Sequence, residues 1–192
     1  MAAIGRLIVM LATDVAGYAS LIGADEAGTL ERLEAHRHQL VYSKIEEHHG
    51  RVVRATAGSL LVEFASPTEA VRCAVELQVG MIDRNISTAP DRRIAFRVGI
   101  DVRGVTANGD NLVSRAVAAL PIDELATLIK PGAESYGDAD NMAVRVAALA
   151  DPGGICISSA VQDAIRDQLP YTFEDIGRYN LGIRITPVHC YA

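Results

Sequence analysis

The chain has 192 residues, of which 49% are hydrophobic and only 5% aromatic, with no Trp. This length suits one domain with a single core built mainly from Ala, Val, Leu and Ile, as in many α/β domains. A formal net charge of -6 and the lack of a Lys/Arg run argue against binding to a nucleic-acid backbone, because such binding needs clustered cations.

The cysteines and the N-terminal segment indicate the compartment. Cys73, Cys156 and Cys190 are far apart in apolar surroundings and form no CxxC pair, which favours buried free thiols over a metal site and indicates a reducing cytosol. The apolar run at residues 4–11 is too short to span a bilayer and lacks a cleavage pattern. We therefore expect a cytoplasmic protein without membrane contact.

The N-terminal third of the chain predicts a buried strand, a helix and a hairpin. These elements are expected at residues 6–13, 25–49, 51–56 and 60–64. The first apolar run ends at Asp14, which suits a central strand whose last residue meets solvent. In the second segment apolar residues recur at helical spacing, and Gly50 stops the helix. Ala57-Gly58-Ser59 separates two β-rich runs, which is the pattern of a tight hairpin.

The rest of the chain predicts a well-capped helix followed by further strands and helices. Ser66 as N-cap, Pro67 in the first turn and Glu69 three residues after the cap predict a helix that runs to about Asn85. Strands are expected at residues 93–102, 155–158, 171–176 and 183–191, and helices at residues 138–149 and 160–169. The order β-α-β-β-α-β predicts a ferredoxin-like sandwich of the α/β (α+β) class, extended at its C-terminal end, within a single domain of residues 1–192.

Residues 113–135 interrupt this order as an insertion. Within it, residues 121–130 are compatible with one short amphipathic helix that Pro131-Gly132 closes. A structureless connection of that length is unusual in a compact domain, so we expect the segment either to fold as a surface elaboration or to act as a lid.

Several short stretches, in the same order along the chain, resemble the class III adenylyl/guanylyl cyclase catalytic domain of bacteria. They are Asp14 to Tyr18, Gly50 to Val53, Leu61 to Pro67, Ala70 to Glu76, Phe96 to Ile100 and Ala150 to Ser158. Each stretch alone is unspecific, but the ordered set covers nearly the whole chain outside the insertion. The resemblance implies the class III nucleotidyl cyclase fold.

The resemblance also implies a reaction and its partners. In this family the ribose 3′-hydroxyl of a nucleoside triphosphate attacks the α-phosphate and expels pyrophosphate, with two Mg²⁺ or Mn²⁺ ions assisting. The expected reaction is the conversion of ATP to cyclic AMP. Because the family builds its sites at the interface of two domains, we expect a homodimer, or a heterodimer with a competent cyclase chain.

The metal side of the implied site is incomplete in this sequence. Asp14 matches the first metal-binding aspartate and the carbonyl of Val15 a second ligand, although Asp14 can also be read as a strand-end turn residue. The turn Ala16-Gly17-Tyr18 can offer backbone N–H groups to phosphate oxygens. Relatives read Gly-Asp-Gly in the hairpin, whereas this chain has Gly58 at the aspartate position and the neutral Ser59 after it. We therefore predict a hairpin that keeps its turn and has lost its metal ligand.

The partner side of the implied site is present. Asn141 and Arg145 match the pair that orients the ribose and binds the reacting phosphate, and their spacing of four puts them on one helix face. A solvated helix face is the alternative. Arg54 matches the base-recognition lysine, and its acidic partner is Glu134, or Asp110 if the alignment shifts.

Further departures from the family leave three functions open. Gly182 stands where relatives carry a triphosphate-binding lysine, and the nearest cation, Arg184, lies two residues further on. Arg103-Gly104 stands where relatives usually carry Gly-Asp. The chain is therefore a cyclase that is impaired on its own, an inactive pseudo-cyclase that binds nucleotide or dimerises, or a cyclase with altered base choice. The histidines, which we interpret as solvated surface, are His36, His38, His48, His49 and His189.

Overall fold

The computed structural model of the chain describes residues 6–105, 138–179 and 188–191. The predicted insertion at 113–135 lies outside these residues, as do Asp110, Glu134, Gly182 and Arg184. Among the described residues, no helix is long and apolar enough to cross a membrane.

Seven strands and six α-helices make up the described part of the chain. The strands are β1 Arg6–Val15, β2 Arg51–Ala55, β3 Ser59–Phe64, β4 Phe96–Val105, β5 Ile155–Ser158, β6 Asp175–Tyr179 and β7 Val188–Tyr191. The helices are α1 Tyr18–Ala24, α2 Glu26–His36, α3 Tyr42–Glu47, α4 Pro67–Asn85, α5 Asp138–Ala147 and α6 Ser159–Ile165. A π-helical turn, Arg37–Val41, joins α2 to α3, and a 3₁₀ turn, Pro90–Arg92, precedes β4.

The strands form one sheet in the order β2-β3-β1-β4-β5-β7-β6. Strand β1 pairs antiparallel with β3 on one edge and with β4 on the other, and β5 continues the sheet parallel to β4. The order β2-β3-β1-β4, with helices following β1 and β3, is the predicted βαββαβ sandwich. Strands β5, β7 and β6 are the C-terminal extension. The predicted fold class is thus confirmed.

The sheet is covered on both faces around β1. Val9, Leu11 and Val15 pack into the main core together with the helices from α2 to α4. The alternate residues Met10 and Ala12 pack on the other face against α5. This two-sided burial explains why the sequence of β1 is a nearly continuous apolar run.

Helix α5 lies directly on β4 because the strand has a glycine at the crossing. A Cβ at Gly99 would overlap the backbone of Ala143 and Ala147. The close approach seats Ala143 and Ala147 against Met10 and Ala12. The position of α5 over the sheet therefore depends on Gly99.

The predicted start and end of α4 are confirmed, whereas other element ends differ. The Ser66 side chain accepts a hydrogen bond of 3.4 Å from the Glu69 amide, and α4 ends at Asn85. The predicted helix at 25–49 instead starts at Tyr18 with α1, breaks at Asp25 and contains the π-helical turn. Strand β4 begins at Phe96, three residues later than predicted, and residues 93–95 connect it to the 3₁₀ turn that ends at Arg92.

The interpretation of all histidines as solvated surface is wrong for His48. This residue is only 9% exposed, because the last turn of α3 packs on α4. Its Nδ1 lies 2.7 Å from Glu69 Oε2 and its Nε2 lies 3.2 Å from Glu76 Oε1. The contact with His48 holds the pKa of Glu69 below its usual value.

The expectation of buried free thiols is confirmed for two cysteines. Cys73 and Cys156 are both buried and unpaired, and Cys190 lies where side chains are not described. Burial raises the pKa of Cys73 to about 12 and that of Cys156 to about 11. Both therefore remain protonated at neutral pH.

Gly99→Ala is expected to lower the free energy of unfolding by about 3 kcal/mol, since the new methyl group overlaps helix backbone that cannot rotate away. Gly23→Ala, in α1 where nothing lies within 4 Å of the added Cβ, is the matched control. The control is expected to be neutral or to gain up to about 1 kcal/mol from helix propensity. Urea unfolding of both variants measures the difference, and equal stabilities would contradict the packing role of Gly99.

Candidate functional site

Asp14 lies at the end of β1, on the sheet face that α5 covers. Its carboxylate is exposed, and the residue follows Met10 and Ala12 in the alternation of the strand. In the sheet register Asp14 pairs with Ser59 on β3 and with Arg97 on β4. Directly paired residues share a face, so all three side chains project from the same side of the sheet.

A pocket of about 250 Å³ opens beside Asp14 between the sheet and the C-terminal half of α5. Its lining is Ala12, Thr13, Asp14, Arg54, Ser59, Leu60, Leu61, Val144, Ala147 and Ala148. The structure thus brings together two residues predicted from the sequence, Asp14 and Arg54. Asp14 is the only carboxylate among the described residues of this lining.

A β-bulge directs Arg54 into the pocket. The β2–β3 register runs from Val52 opposite Val62 to Arg54 opposite Leu61, so one extra residue is inserted at Val53. Leu61 and Val53 belong to the cluster under α5, and Arg54 shares that face as the partner of Leu61. Without the bulge, strict alternation would turn Arg54 to the opposite face.

The hairpin tip beside Asp14 has its polar groups satisfied by each other. The hydroxyls of Thr56 and Ser59 are 2.8 Å apart, and the Ser59 amide donates to the Thr56 hydroxyl at 3.1 Å. The Gly58 carbonyl accepts from the Val15 amide at 2.9 Å. The Ser59 hydroxyl is therefore engaged within the turn, although it faces the same side as Asp14.

Tyr18 packs over the position where relatives carry the second aspartate. A Cβ built at Gly58 would lie 3.1 Å from Tyr18 Cγ and 3.3 Å from each Cδ of the ring. The backbone of Gly58 is outside the left-handed region, so a side chain there would not strain the backbone. The nearest atoms to its Cβ would be those of the Tyr18 ring.

Comparisons with known proteins agree with this architecture. No family model matches the chain. It is 32% identical over 184 residues to "Putative adenylate cyclase 3" of Rhizobium meliloti (strain 1021), covering 96% of this chain and 27% of that relative. It superposes with a TM-score of 0.78 on an adenylate/guanylate cyclase/hydrolase from Silicibacter pomeroyi, at 28% identity over 97% of this chain and 95% of that one.

The chain is a class III adenylyl/guanylyl cyclase-type domain. The guanylyl cyclase Cya2 shares the fold as well, with a TM-score of 0.70 at 18% identity over 100% of this chain and 93% of that one. The chain spans about a quarter of the length of the Rhizobium relative that it matches.

The donor set of this cyclase-type domain fits one divalent cation and not two. The Asp14 carboxylate and the backbone carbonyl of Val15 are oxygen donors of the kind that Mg²⁺ and Mn²⁺ accept, and Mg²⁺ often uses few protein ligands. Gly58 offers no side-chain ligand, and the Ser59 hydroxyl is bonded to Thr56. Among the described residues, no group of three His, Cys, Asp or Glu side chains is placed to hold a metal.

The turn after Asp14 uses part of its backbone within the fold. The Ala16 amide donates to the Ala95 carbonyl at 2.9 Å, and the Val15 amide is bonded to Gly58. Gly17 adopts φ 66° and precedes α1, which begins at Tyr18. The amide of Tyr18 has no acceptor inside the helix, because the first N–H groups of a helix never do. Any contact of this turn with phosphate therefore falls to Gly17 and Tyr18.

Helix α5 presents different residues to the pocket and to solvent. Val144 and Ala148 line the pocket, whereas Arg145 is exposed and is not part of the lining. Asn141 lies one turn earlier on α5, where side chains are not described. The structure therefore does not place Arg145 in the lining that contains Asp14 and Arg54.

Arg97 is a site residue that the sequence reasoning missed. It is half-buried, it pairs with Asp14 in the β1–β4 register, and its Nε has no hydrogen-bond partner among the described residues. The residue belongs to the stretch Phe96 to Ile100, in which apolar residues alternate toward the core. That alternation marks Arg97 as facing the other side of the sheet, but only the strand order reveals Asp14 beside it.

Gly58→Asp is expected to fold with a loss of about 1 kcal/mol or less in the free energy of unfolding, because the half-buried Tyr18 ring can shift by a few tenths of an ångström. Ala57→Asp, which adds the same charge at an exposed neighbouring position, is the control. Urea unfolding followed by tyrosine fluorescence measures the stability of both variants. A loss of the cooperative transition in Gly58→Asp alone would show that the hairpin tip no longer accepts a carboxylate.

Proposed function

We propose that this domain binds a nucleoside triphosphate, with ATP as the expected substrate, in the pocket at Asp14 and Arg54, and that its cyclase activity is impaired when the chain acts alone. The observation that carries the proposal is that Asp14 is the single carboxylate in the described lining of this pocket, paired in the sheet with Ser59, which follows Gly58. The adenylate cyclase name of the Rhizobium relative supports ATP as the first substrate to test.

The residues of the pocket suit a polyanionic ligand. Arg54 donates hydrogen bonds to the nucleotide, and the charge of Arg97 next to Asp14 attracts phosphate oxygens. Asp14 holds one cation through a charged oxygen. A bound divalent ion would stabilise negative charge on the phosphates and favour ionisation of the ribose 3′-hydroxyl.

The reaction forms a bond between the 3′-oxygen and the α-phosphorus, while the bond to pyrophosphate breaks and the hydroxyl proton leaves. The chain's own groups orient the nucleotide for this displacement but supply little charge for a second cation. Loss of one such electrostatic element commonly costs about 10²–10³ in rate. The expected outcome is slow turnover rather than a changed reaction.

Two chains are needed for a complete site in this proposal. Arg145 is exposed on α5 and is not part of the pocket lining, which fits a role in the site of a partner chain. In a homodimer each chain would lend Asn141 and Arg145 to the other. In a heterodimer with a competent cyclase chain, the partner would supply both metal-binding aspartates.

A pseudo-cyclase is the second candidate, and the hairpin tip favours it. Its hydroxyls are paired with each other, its carbonyl at Gly58 is bonded to β1 and Tyr18 covers the glycine. Such a tip is satisfied without a metal ion. The domain would then bind nucleotide or dimerise to regulate another protein.

A product assay is expected to separate these functions. The purified chain receives ATP, GTP, CTP or UTP with Mn²⁺, and cyclic product is quantified by mass spectrometry. We expect slow formation of cyclic AMP by the wild type, a gain of about tenfold or more in Gly58→Asp, and no product in Arg145→Ala. Ala57→Asp controls for added charge in the hairpin.

Two results would contradict the proposal of impaired catalysis. Rapid turnover by the wild type would show that one carboxylate is sufficient. No gain in Gly58→Asp, even when combined with Gly182→Lys, would show that these positions do not limit the rate. No product from any variant, with nucleotide binding intact, would instead support the pseudo-cyclase.

Mixing two inactive variants is expected to restore activity if the sites are shared. In the Gly58→Asp background, Asp14→Asn and Arg145→Ala are each expected to be inactive, because each removes one half of every site. An equimolar mixture of exchangeable dimers would regain up to about a quarter of the parent activity if mixing is random and each heterodimer keeps one of two sites. Sedimentation velocity of the same samples is expected to show dimers, and a strict monomer would contradict the shared site.

A further inference from the structure

Arg37 is a buried arginine in the π-helical turn between α2 and α3. Only 6% of its side chain is exposed. The nearest carboxylate recorded for it is that of Glu34, with 3.6 Å between Arg37 Nη1 and Glu34 Oε1, and Glu34 is 57% exposed. Burial of a guanidinium is costly unless hydrogen bonds compensate for it. The other hydrogen-bond partners of Arg37 therefore offset the cost of burying its charge.

Those partners are the backbone carbonyls of the hairpin tip. Arg37 Nη2 donates to the carbonyl of Thr56 and, at 2.9 Å, to the carbonyl of Ala57. These two carbonyls directly precede Gly58. A side chain from the helical layer thus reaches across to the turn that lies beside Asp14.

The Thr56 amide closes the turn by donating to the Ser59 carbonyl at 2.9 Å, but the reciprocal hydrogen bond of the turn is replaced. In a four-residue turn the last N–H commonly donates to the first carbonyl. Here the Ser59 amide donates to the Thr56 hydroxyl at 3.1 Å, and the Thr56 carbonyl accepts from Arg37 instead. The next carbonyl is also taken by Arg37, and that of Gly58 by the Val15 amide.

The tip is consequently held from two sides. Arg37 fixes Thr56 and Ala57 from the helical layer, while β1 fixes Gly58 one residue after Asp14. The helix departs from regular α geometry at Arg37, and π-helical turns occur often at functional sites. No hydrogen bond internal to the turn fixes the Thr56 carbonyl in this arrangement.

We infer that Arg37 is a positioning residue for the nucleotide pocket: it sets the place of Gly58 and Ser59 beside Asp14. The effect on the pocket rests on the proposed function, because it concerns nucleotide binding there. The contact between Arg37 and the hairpin tip does not depend on the proposed function. Two measurements therefore test the contact at the tip and the effect on nucleotide binding separately.

Amide hydrogen exchange directly measures how well the hydrogen bonds at the hairpin tip protect its amides. In Arg37→Met the amides of Val15, Thr56 and Ser59 are expected to exchange about tenfold faster or more, as expected for the loss of hydrogen bonds to a charged group. The Val98 amide, bonded to Gly154 in the neighbouring part of the sheet, reports global opening and is expected to be unchanged. Arg37→Lys, which keeps the charge and one donor direction, is expected to recover part of the protection.

Arg51→Met is the matched control within the same hairpin. Arg51 is 51% exposed and its Nη2 lies 2.6 Å from Glu63 Oε2, at the base of the hairpin rather than at its tip. We expect this variant to leave the exchange of Val15, Thr56 and Ser59 within twofold of the wild type. Titration of each variant with ATP and Mn²⁺ is then expected to show weaker binding, about fivefold or more, for Arg37→Met only.

Three outcomes would overturn the inference. Unchanged exchange of the tip amides in both Arg37 variants would show that the tip does not need the guanidinium. Equal acceleration of the tip amides and of Val98 in both variants would show a general loss of stability. Local acceleration with unchanged nucleotide affinity would remove the link to the pocket. A wild type that binds no nucleotide would refute the proposed function, while the exchange data would still decide the role of Arg37 at the tip.

Discussion

Strand β1 is hydrogen-bonded along both edges, and the candidate site takes its geometry from this pairing. The antiparallel partners β3 and β4 place Ser59 and Arg97 on either side of Asp14. Since the strand is buried on both faces, a one-residue register shift would exchange the residues that pack into the two cores and disrupt both. The residues around Asp14 are therefore fixed by the same packing that stabilises the fold.

The charge around Asp14 suits a nucleotide better than it suits two metal ions. One carboxylate stands with two guanidinium groups, one from Arg54 in the pocket lining and one from Arg97 on the neighbouring strand. Such a balance attracts a polyanion, whereas a pair of divalent cations needs more negative charge from the protein. The described residues of the cyclase-type domain thus place more positive than negative side-chain charge around Asp14.

The hairpin shows how a turn can be ordered without a metal ligand at its tip. Its carbonyls are held by Arg37 and by β1, and its hydroxyls by each other. None of these contacts needs the side chain that Gly58 lacks. An ordered tip is therefore compatible with glycine at this position.

The sequence by itself determined the features that depend on neighbouring residues: the N-cap at Ser66 and the extent of α4, the hairpin at Gly58, the buried β1 and the order of elements. Its ordered motifs also indicated the cyclase-type fold. Tertiary structure alone decided that a bulge turns Arg54 into the pocket, that Arg97 lies beside Asp14, that His48 is buried between two glutamates and that Arg37 holds the hairpin tip. Each of these depends on strand register or on packing between distant segments, and local residue patterns carry no record of either.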